Sequence, residues 1–515
     1  MHCDLICLFF ILNIKFVFSS NNSKLLVYQD ENGILKRAKC WGYESNCTLE
    51  ERYGIPTTDC LNEKFKQDFW KMVDFGYVEE RRKEFKELLI CQPHEDQASS
   101  LQCSKYTRYC VARNLYVDFT NLMQANNRDK FRENIFKPGQ IGGDCEVNEK
   151  MLEDQNEHKS ALQSWYAELE TFTKVDYSHD RCDIVINHPV IFMKMDFGGN
   201  MFHHFCDFFN LFVSLHVNGS SFNKDVQIVM WDTASSNYYD PFSSSWKAFT
   251  SRPVTPLVDW DKKKVCFREA YFSLLPRMRG GLYYNTYVPQ NCVGSNLFRS
   301  FSKFFLQQMK VRQLGPVFVQ GRNPKPKLRV TLLQRGTPDN DRVYRKIKNQ
   351  RELEKVFGEF EDLELTVVEY DWRKMSFKDQ LLMTHNSDIM IGMHGAGLTH
   401  FLFLPPWAVA FELYNCGDKN CYYDLARLGG IKYMTWSDGG NPKFEPKPSE
   451  KGKHHKYGSN PKFWNWAFNP KRFKELVSEA REYVLSHPVY KTLFSKNFAK
   501  RKVNSILSVK NKIQH

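Results

Sequence analysis

LRVTLL (328–333), LELTVVEY (363–370), DIMIGM (388–393), AVAFEL (408–413) and IKYMTW (431–436) are five short runs of apolar, β-forming residues. Between them lie stretches with helical spacing. These are 342–357, a segment from Ser376 to about His385, HGAGLTHFLFL (394–404) stopped by Pro405-Pro406, and YYDLARLGG (422–430) stopped by glycine. Ser376 followed three residues later by Asp379 makes a capping box, which fixes where the second helix starts. Buried strand runs alternating with helices over 328–436 imply right-handed crossovers and a parallel sheet covered on both faces. Such sheets bind ligands outside the carboxyl ends of their strands. The fold class is therefore α/β.

Upstream, CDIVI (182–186), PVIFMK (189–194) and VQIVMW (226–231) read as strands, Met201–His216 as an aromatic helix and Ser295–Val311 as another helix. Gly315–Lys327, with Pro316, Pro324 and Pro326, reads as a linker. From Ser23 to about Gly139 the chain is cysteine-rich and reads as mostly helical or irregular, with Phe65–Leu89 the clearest helical stretch. The expected division is a signal peptide over 1–19, a cysteine-rich region over 20–150, one α/β unit over 151–315, a second over 328–490 and a basic tail over 491–515.

The 515 residues are 42% hydrophobic and 25% charged, an ordinary globular balance that excludes fibrous and disordered classes. Lys+Arg 72 against Asp+Glu 59 gives +13, and seven of the positive charges follow His487 with no acid among them. The excess is partly a solvated tail, and no nucleic-acid module accompanies it. The apolar run Leu5–Phe18, broken by Lys15 and followed by Ser19 and Ser20, is too short for a membrane span and reads as a secretory signal peptide. No later segment is apolar enough to span a membrane, so the rest is expected to be lumenal or extracellular. Fifteen cysteines without a CxxC pair point to disulfides in an oxidising compartment and away from zinc. Cys416 and Cys421 are an expected local disulfide, Cys206 the expected free, buried thiol, and Asn46 and Asn218 sit in glycosylation sequons.

The sharpest local signal is Gly392-Met393-His394-Gly395-Ala396-Gly397-Leu398-Thr399-His400, between a buried strand and a helix. Glycines let backbone approach a ligand, and a helix start offers free N–H groups to a diphosphate. Arg335 just past the first strand, with Arg345 and Asn349 beyond it, adds side chains suited to phosphate. Glu412 ends the next strand at the same edge, where it either accepts from ribose hydroxyls or forms a structural salt bridge. In the first half, His203, His204 and Asp207 open the aromatic helix. Asp207 is four residues after His203 and so on the same face, and is a candidate general base. One of the histidines also fits a satisfied core role. Asp259-Trp260-Asp261 carries the spacing of a metal-binding acid pair, though beside Lys262-Lys263-Lys264 it reads first as a solvated turn.

CWGYE (40–44), FWKMVDFGY (69–77), LQSWYAEL (162–169), MFHHFCDF (201–208), VMWDT (229–233), SLLPRMR (273–279), IGMHGAGLTHFLFLP (391–405), FELYNC (411–416) and DLARL (424–428) together resemble glycosyltransferase family 61. The resemblance implies a GT-B-like architecture, two Rossmann-like domains facing a cleft, here with a cysteine-rich, mostly helical N-terminal extension. It implies an inverting transfer of N-acetylglucosamine from UDP-GlcNAc to Ser or Thr of folded EGF-like repeats on secreted or membrane proteins. Asp207 is then the base, and Arg335, Arg345 and the 394–400 turn clamp the leaving diphosphate. No cofactor is obligatory; a divalent ion such as manganese is allowed but inessential. The alternatives are a UDP-xylose donor, a glycan acceptor, or an inactive lectin-like module. The endoplasmic reticulum lumen is the expected location. The chain ends Lys512-Ile513-Gln514-His515 where the family commonly carries a KDEL-type signal, which leaves the Golgi or secretion open.

Overall fold

The computed structural model describes residues 26–29, 35–38, 40–42, 59–94, 98–124, 126–217, 223–234, 240–284, 288–289, 292–319, 325–336, 344–413, 421–448 and 463–496. The signal-peptide segment, Asn46, Asn218, the expected Cys416–Cys421 pairing and most of the basic tail fall outside these residues.

Five C-terminal strands form one parallel array in the spatial order Leu363–Val368, Lys325–Leu333, Ile389–Gly392, Val409–Glu412, Lys432–Thr435. Numbered along the chain this is 2-1-3-4-5, a doubly wound order that reverses direction between its first and third strands. At the carboxyl edge Leu333 stands opposite Gly392, Gly392 opposite Glu412, and Glu412 opposite Thr435. Each strand's exit loop therefore opens on the same side. The two-residue strand period splits the side chains between two cores. Leu328, Val330, Leu332, Ile391 and Phe411 pack with Phe473, Leu476, Val477 and Val484 of the helix Pro470–Ser486. Leu333, Met390 and Ala410 pack with Leu398, Phe401 and Phe403 in a core that continues into the N-terminal half.

The expected linker is in part a strand. Val317–Val319 pairs antiparallel with the start of Lys325–Leu333, so the first strand begins earlier than its apolar run. Pro326 is tolerated there because a proline costs least near a sheet edge.

The aromatic helix forms over Met201–Val217 and is mostly apolar, with nearly all of its residues buried. That composition suits a central element rather than a surface one. Phe205, Phe208, Phe209 and Phe212 are fully buried. Phe205 lies 5.4 Å from Phe403, and Phe305 of the helix Asn296–Gln308 lies 5.5 Å from the same ring. Each such ring stabilises the packing by roughly 1.5–3 kcal/mol, so the helix ties the halves together.

The N-terminal sheet is mixed. Val190–Met193, Gln227–Met230 and Thr255–Pro256 run parallel, and both Ile184–Ile186 and Val190–Met193 pair with Lys264–Phe272. On its other side Lys264–Phe272 pairs antiparallel with Cys110–Asp118, and the array continues through Ser100–Cys103, Leu88–Gln92 and Glu146–Val147. This corrects, over the described residues, the expectation that the cysteine-rich region is mostly helical or irregular: the helices Glu63–Val73 and Phe75–Glu87 are followed by strands that extend the same sheet as 184–272. Cys103 and Cys110 are bonded directly opposite each other in a hairpin, and Cys91–Cys145, Cys182–Cys266 and Cys60–Cys292 join distant segments. Cys206 is free and buried, as expected. These disulfides fit an oxidising, secretory-pathway environment. No helix among the described residues is long and apolar enough to cross a membrane.

Candidate active site

The carboxyl edge of the C-terminal sheet and the start of the aromatic helix share one cleft of about 760 Å³, within the range of small-molecule sites. Its C-terminal wall carries Arg335, Arg345, His394, Gly395, Ala396 and Gly397, and its N-terminal wall Asn200, Phe202 and His203.

Arg335 leaves the first strand at the point where the strand order reverses. Arg345 sits in the connection before the helix Gln350–Val356 with its backbone left-handed, at φ +62°, a conformation that side chains beyond Cβ disfavour and that clusters at functional sites. Its Nη1 donates to the His394 carbonyl at 3.0 Å. Among the described residues neither arginine pairs with a carboxylate, and the Nε of each is buried without a partner. Burial, and next the Arg345 charge, push Arg335 down to about 10. Tyr344 lies under both guanidiniums, 5.9 Å from Arg335 and 5.1 Å from Arg345. Two adjacent cations with no carboxylate partner among the described residues suit a dianionic ligand.

Gly395 makes room for this pair. A Cβ at that position would fall closer to Arg335 Nη1 than real contacts allow and 3.3 Å from Arg345 Nη1. The segment that follows is a 3-10 helix, Ala396–Phe403, with no side chain capping its first turn. Its free N–H groups therefore add to the positive potential at the cleft. His394 Nδ1 is hydrogen-bonded to Glu412 Oε1 at 2.7 Å, while Glu412 Oε2 accepts from the Tyr433 hydroxyl at 2.7 Å.

On the opposite wall His203 Nδ1 meets Asp196 Oδ2 at 2.7 Å. Arg277 reaches the same oxygen through Nε at 2.8 Å. Burial would raise the Asp196 carboxyl, yet the hydrogen bonds of His203 and Arg277 hold it below its ordinary value. Asp207 accepts from the Asp196 backbone N–H at 3.2 Å, and burial, then the Asp196 charge, push it well above the carboxylate range. Asp207 does not line the cleft, so the expected His203–Asp207 pairing is replaced by His203–Asp196. His204 is a core histidine: Nδ1 faces the Gly198 carbonyl at 3.2 Å, and burial lowers its proton affinity.

Other expected residues stand behind the walls. Glu412 is spent on His394 and Tyr433. Thr399 is buried, and His400 turns inward against Tyr370 with Nδ1 on the Gly397 carbonyl. Asn349 links its helix to Phe468, donating to that carbonyl at 2.8 Å and accepting from that N–H at 3.0 Å. Asp261 accepts from the Met123 N–H at 3.0 Å, and neither it nor Asp259 lines the cleft. Among the described residues no group of three or more His, Cys, Asp or Glu side chains could hold a metal.

The family model described as Glycosyltransferase 61 matches residues 184–411, a stretch carrying both walls of the cleft. Proteins named "EGF domain-specific O-linked N-acetylglucosamine transferase" are similar over most of the chain. The one from Bos taurus is 48% identical over 460 residues, covering 87% of this chain and 83% of its own. The one from Drosophila melanogaster is 41% identical over 481 residues, covering 91% and 88%. The chain belongs to glycosyltransferase family 61. Its members transfer a sugar from a donor, and the cleft offers an anion-binding wall facing an imidazole–carboxylate pair. Asp196 and Arg277 were invisible to local spacing, since seven and seventy-four residues separate them from His203. The available signal was position: Asp196 follows the strand Val190–Met193 at its carboxyl edge.

Proposed function

We propose that this protein is an inverting transferase of the secretory pathway that moves N-acetylglucosamine from UDP-GlcNAc to Ser or Thr hydroxyls of folded EGF-like repeats. The observation that carries this reading is one cleft with Arg335 and Arg345, which have no carboxylate partner among the described residues, on one wall and the His203–Asp196 pair on the other. The names of the relatives supply the sugar and the acceptor class. The reading takes the two halves as Rossmann-like units of a GT-B-like architecture, divided near the Val317–Lys325 hairpin, with the strands of 88–147 belonging to the acceptor side. It places the enzyme in the endoplasmic reticulum lumen.

In the proposed reaction the diphosphate lies against Arg335, Arg345 and the start of Ala396–Phe403, and His394 offers a further hydrogen bond. His203 Nε2 takes the proton of the acceptor hydroxyl while Asp196 holds the ring through Nδ1. The hydroxyl oxygen forms its bond to the anomeric carbon as the bond to the β-phosphate oxygen breaks, and UDP leaves with its negative charge held by the two guanidiniums. Asp207 acts on this site through the Asp196 backbone. No step requires a metal ion.

The test is mass spectrometry of a folded EGF repeat incubated with UDP-GlcNAc or UDP-xylose. A single HexNAc addition from UDP-GlcNAc is the expected result. Pentose addition, or none from either donor, would overturn the donor assignment. His203→Ala should lower kcat by roughly 100- to 10,000-fold and leave UDP affinity intact, whereas an unchanged rate would remove His203 from the mechanism.

A further inference from the structure

We propose that Asp424 reads the hydroxyl groups of the transferred sugar, which lies on a floor formed by Tyr422 and Phe202. The inference rests on the donor reading above, in which the diphosphate lies against Arg335 and Arg345 and the acceptor hydroxyl arrives at His203. The sugar must then occupy the space between those two ends. A chain of rings lines the cleft along that path. The His394 ring is 5.0 Å from Tyr422, Tyr422 is 5.9 Å from Phe202, and Phe202 is 5.8 Å from His203. Apolar surface of this kind suits the C–H side of a pyranose, while a small number of placed polar groups fixes the orientation of the ligand.

Among the described residues two carboxylates line the cleft, Glu369 and Asp424. Glu369 stands beside the phosphate end and is occupied: Oε1 accepts from the Gly336 N–H at 3.0 Å and Oε2 from Lys374 Nζ at 3.0 Å. Asp424 lies two residues after Tyr422, in the first turn of the helix Cys421–Gly429. Its Oδ1 accepts from Arg427 Nη2 at 2.7 Å, and the buried Arg427 donates through Nη1 to the Pro289 carbonyl at 2.9 Å. The same helix is tied to the N-terminal half again, by the Gly294 N–H on the Arg427 carbonyl at 2.8 Å and the Ser295 N–H on the Leu428 carbonyl at 2.7 Å. Asp424 is therefore fixed relative to both walls before a ligand arrives, which spares the cost of ordering it on binding. A carboxylate can accept about four hydrogen bonds, so the bond from Arg427 orients the group without exhausting it. A carboxylate also repels phosphate, so this end of the cleft suits the neutral, hydroxyl-bearing part of the donor and not a further anion.

The experiment measures Kd for UDP and for UDP-GlcNAc by isothermal titration, in the unmodified enzyme, Asp424→Ala and Asp424→Asn. Losing hydrogen bonds to a charged acceptor should raise Kd for UDP-GlcNAc by roughly tenfold or more in Asp424→Ala, while Kd for UDP stays within about twofold. If Asp424→Ala does not fold, Asp424→Asn, whose amide oxygen still accepts from Arg427, carries the same expected loss confined to the sugar-bearing ligand. Unchanged affinity for UDP-GlcNAc would overturn the inference. Equal weakening of both ligands would also overturn it, since a residue that merely shapes the cleft has no reason to tell them apart. Failure of the unmodified enzyme to bind either ligand would instead overturn the underlying donor reading, so the two failures are separable.

Discussion

Replacing Gly395 with alanine tests the anion clamp without removing a charge. The added Cβ would stand against Arg335 Nη1 inside the 3.0 Å below which real Cβ atoms essentially never sit, and 3.3 Å from Arg345 Nη1. The obstacle is the end of a flexible side chain, so the fold survives while the guanidinium is pushed off its seat. Losing one charge-assisted hydrogen bond to a phosphate costs about 1.5–3 kcal/mol, which is roughly a tenfold to 150-fold rise in Kd. Isothermal titration with UDP reads this directly, with the melting temperature recorded in parallel. Because Gly395 also has φ +157°, part of the loss could come from a shift of the turn itself. The double-mutant cycle separates the two contributions. In an Arg335→Ala background the substitution should lose most of its effect, since the displaced group is already gone. UDP affinity within about twofold of the unmodified protein, or an undiminished effect in the Arg335→Ala background, would refute the reasoning that Gly395 is there to seat Arg335.

Two further outcomes follow from buried polar groups. Asp74 accepts from the N–H groups of Phe75 at 2.8 Å, Asn296 at 2.9 Å and Leu297 at 2.9 Å, joining the first turns of two helices far apart in sequence. Asp74→Ala orphans all three and should lower the unfolding free energy by about 2–4 kcal/mol, read by urea denaturation; a loss below about 0.5 kcal/mol would mean the helices find other caps. His400 is pushed down to about 4, chiefly by burial. Its folded value lies below its unfolded value, so the stability it contributes is intact above about pH 6.5 and lost as pH falls toward 4. Between pH 7 and 5 His400→Gln should show a stability loss about 2 kcal/mol smaller than the parent; equal losses would show that His400 charges without opening the fold.

The C-terminal sheet could be read from sequence because each strand is a short, continuous apolar run and each crossover carries its own stop or cap. The capping box is an example: Ser376 Oγ accepts from the Asp379 N–H at 3.2 Å at the start of Phe377–His385. Arg335, His394 and Gly395 could be placed at that edge for the same reason, since residues just past parallel strands must meet there, whereas Arg345 lies well beyond its strand, in the connection before Gln350–Val356. Thr399 and His400 could not be placed so. The turn runs into a 3-10 helix, and only Ala396 and Gly397 reach the lip before the chain dives into the core. The N-terminal half resisted local reading more broadly. Leu88–Gln92 follows directly on the helix Phe75–Glu87, so helical spacing runs into a strand without punctuation. The strands of 88–147 also take much of their definition from disulfides and from a partner strand, Lys264–Phe272, that lies far along the chain.

The same contrast between local and distant contacts decides which histidine takes the proton in the proposed reaction. Helical spacing favours Asp207 as the partner of His203, but the loop after Val190–Met193 folds back and sets Asp196 over the ring instead. Across the cleft His394–Glu412 is a second imidazole–carboxylate pair of the same length. Chemistry separates them. In a one-step inversion the entering oxygen and the departing phosphate occupy opposite faces of the anomeric carbon, so the proton acceptor and the anion clamp must stand on opposite walls. His394 sits among the guanidiniums, its carbonyl held by Arg345 and the next residue seating Arg335. It is placed to donate to the leaving diphosphate, and a base there would be on the wrong side. His203 is on the far wall, where its bond to Asp196 leaves Nε2 to face an arriving hydroxyl.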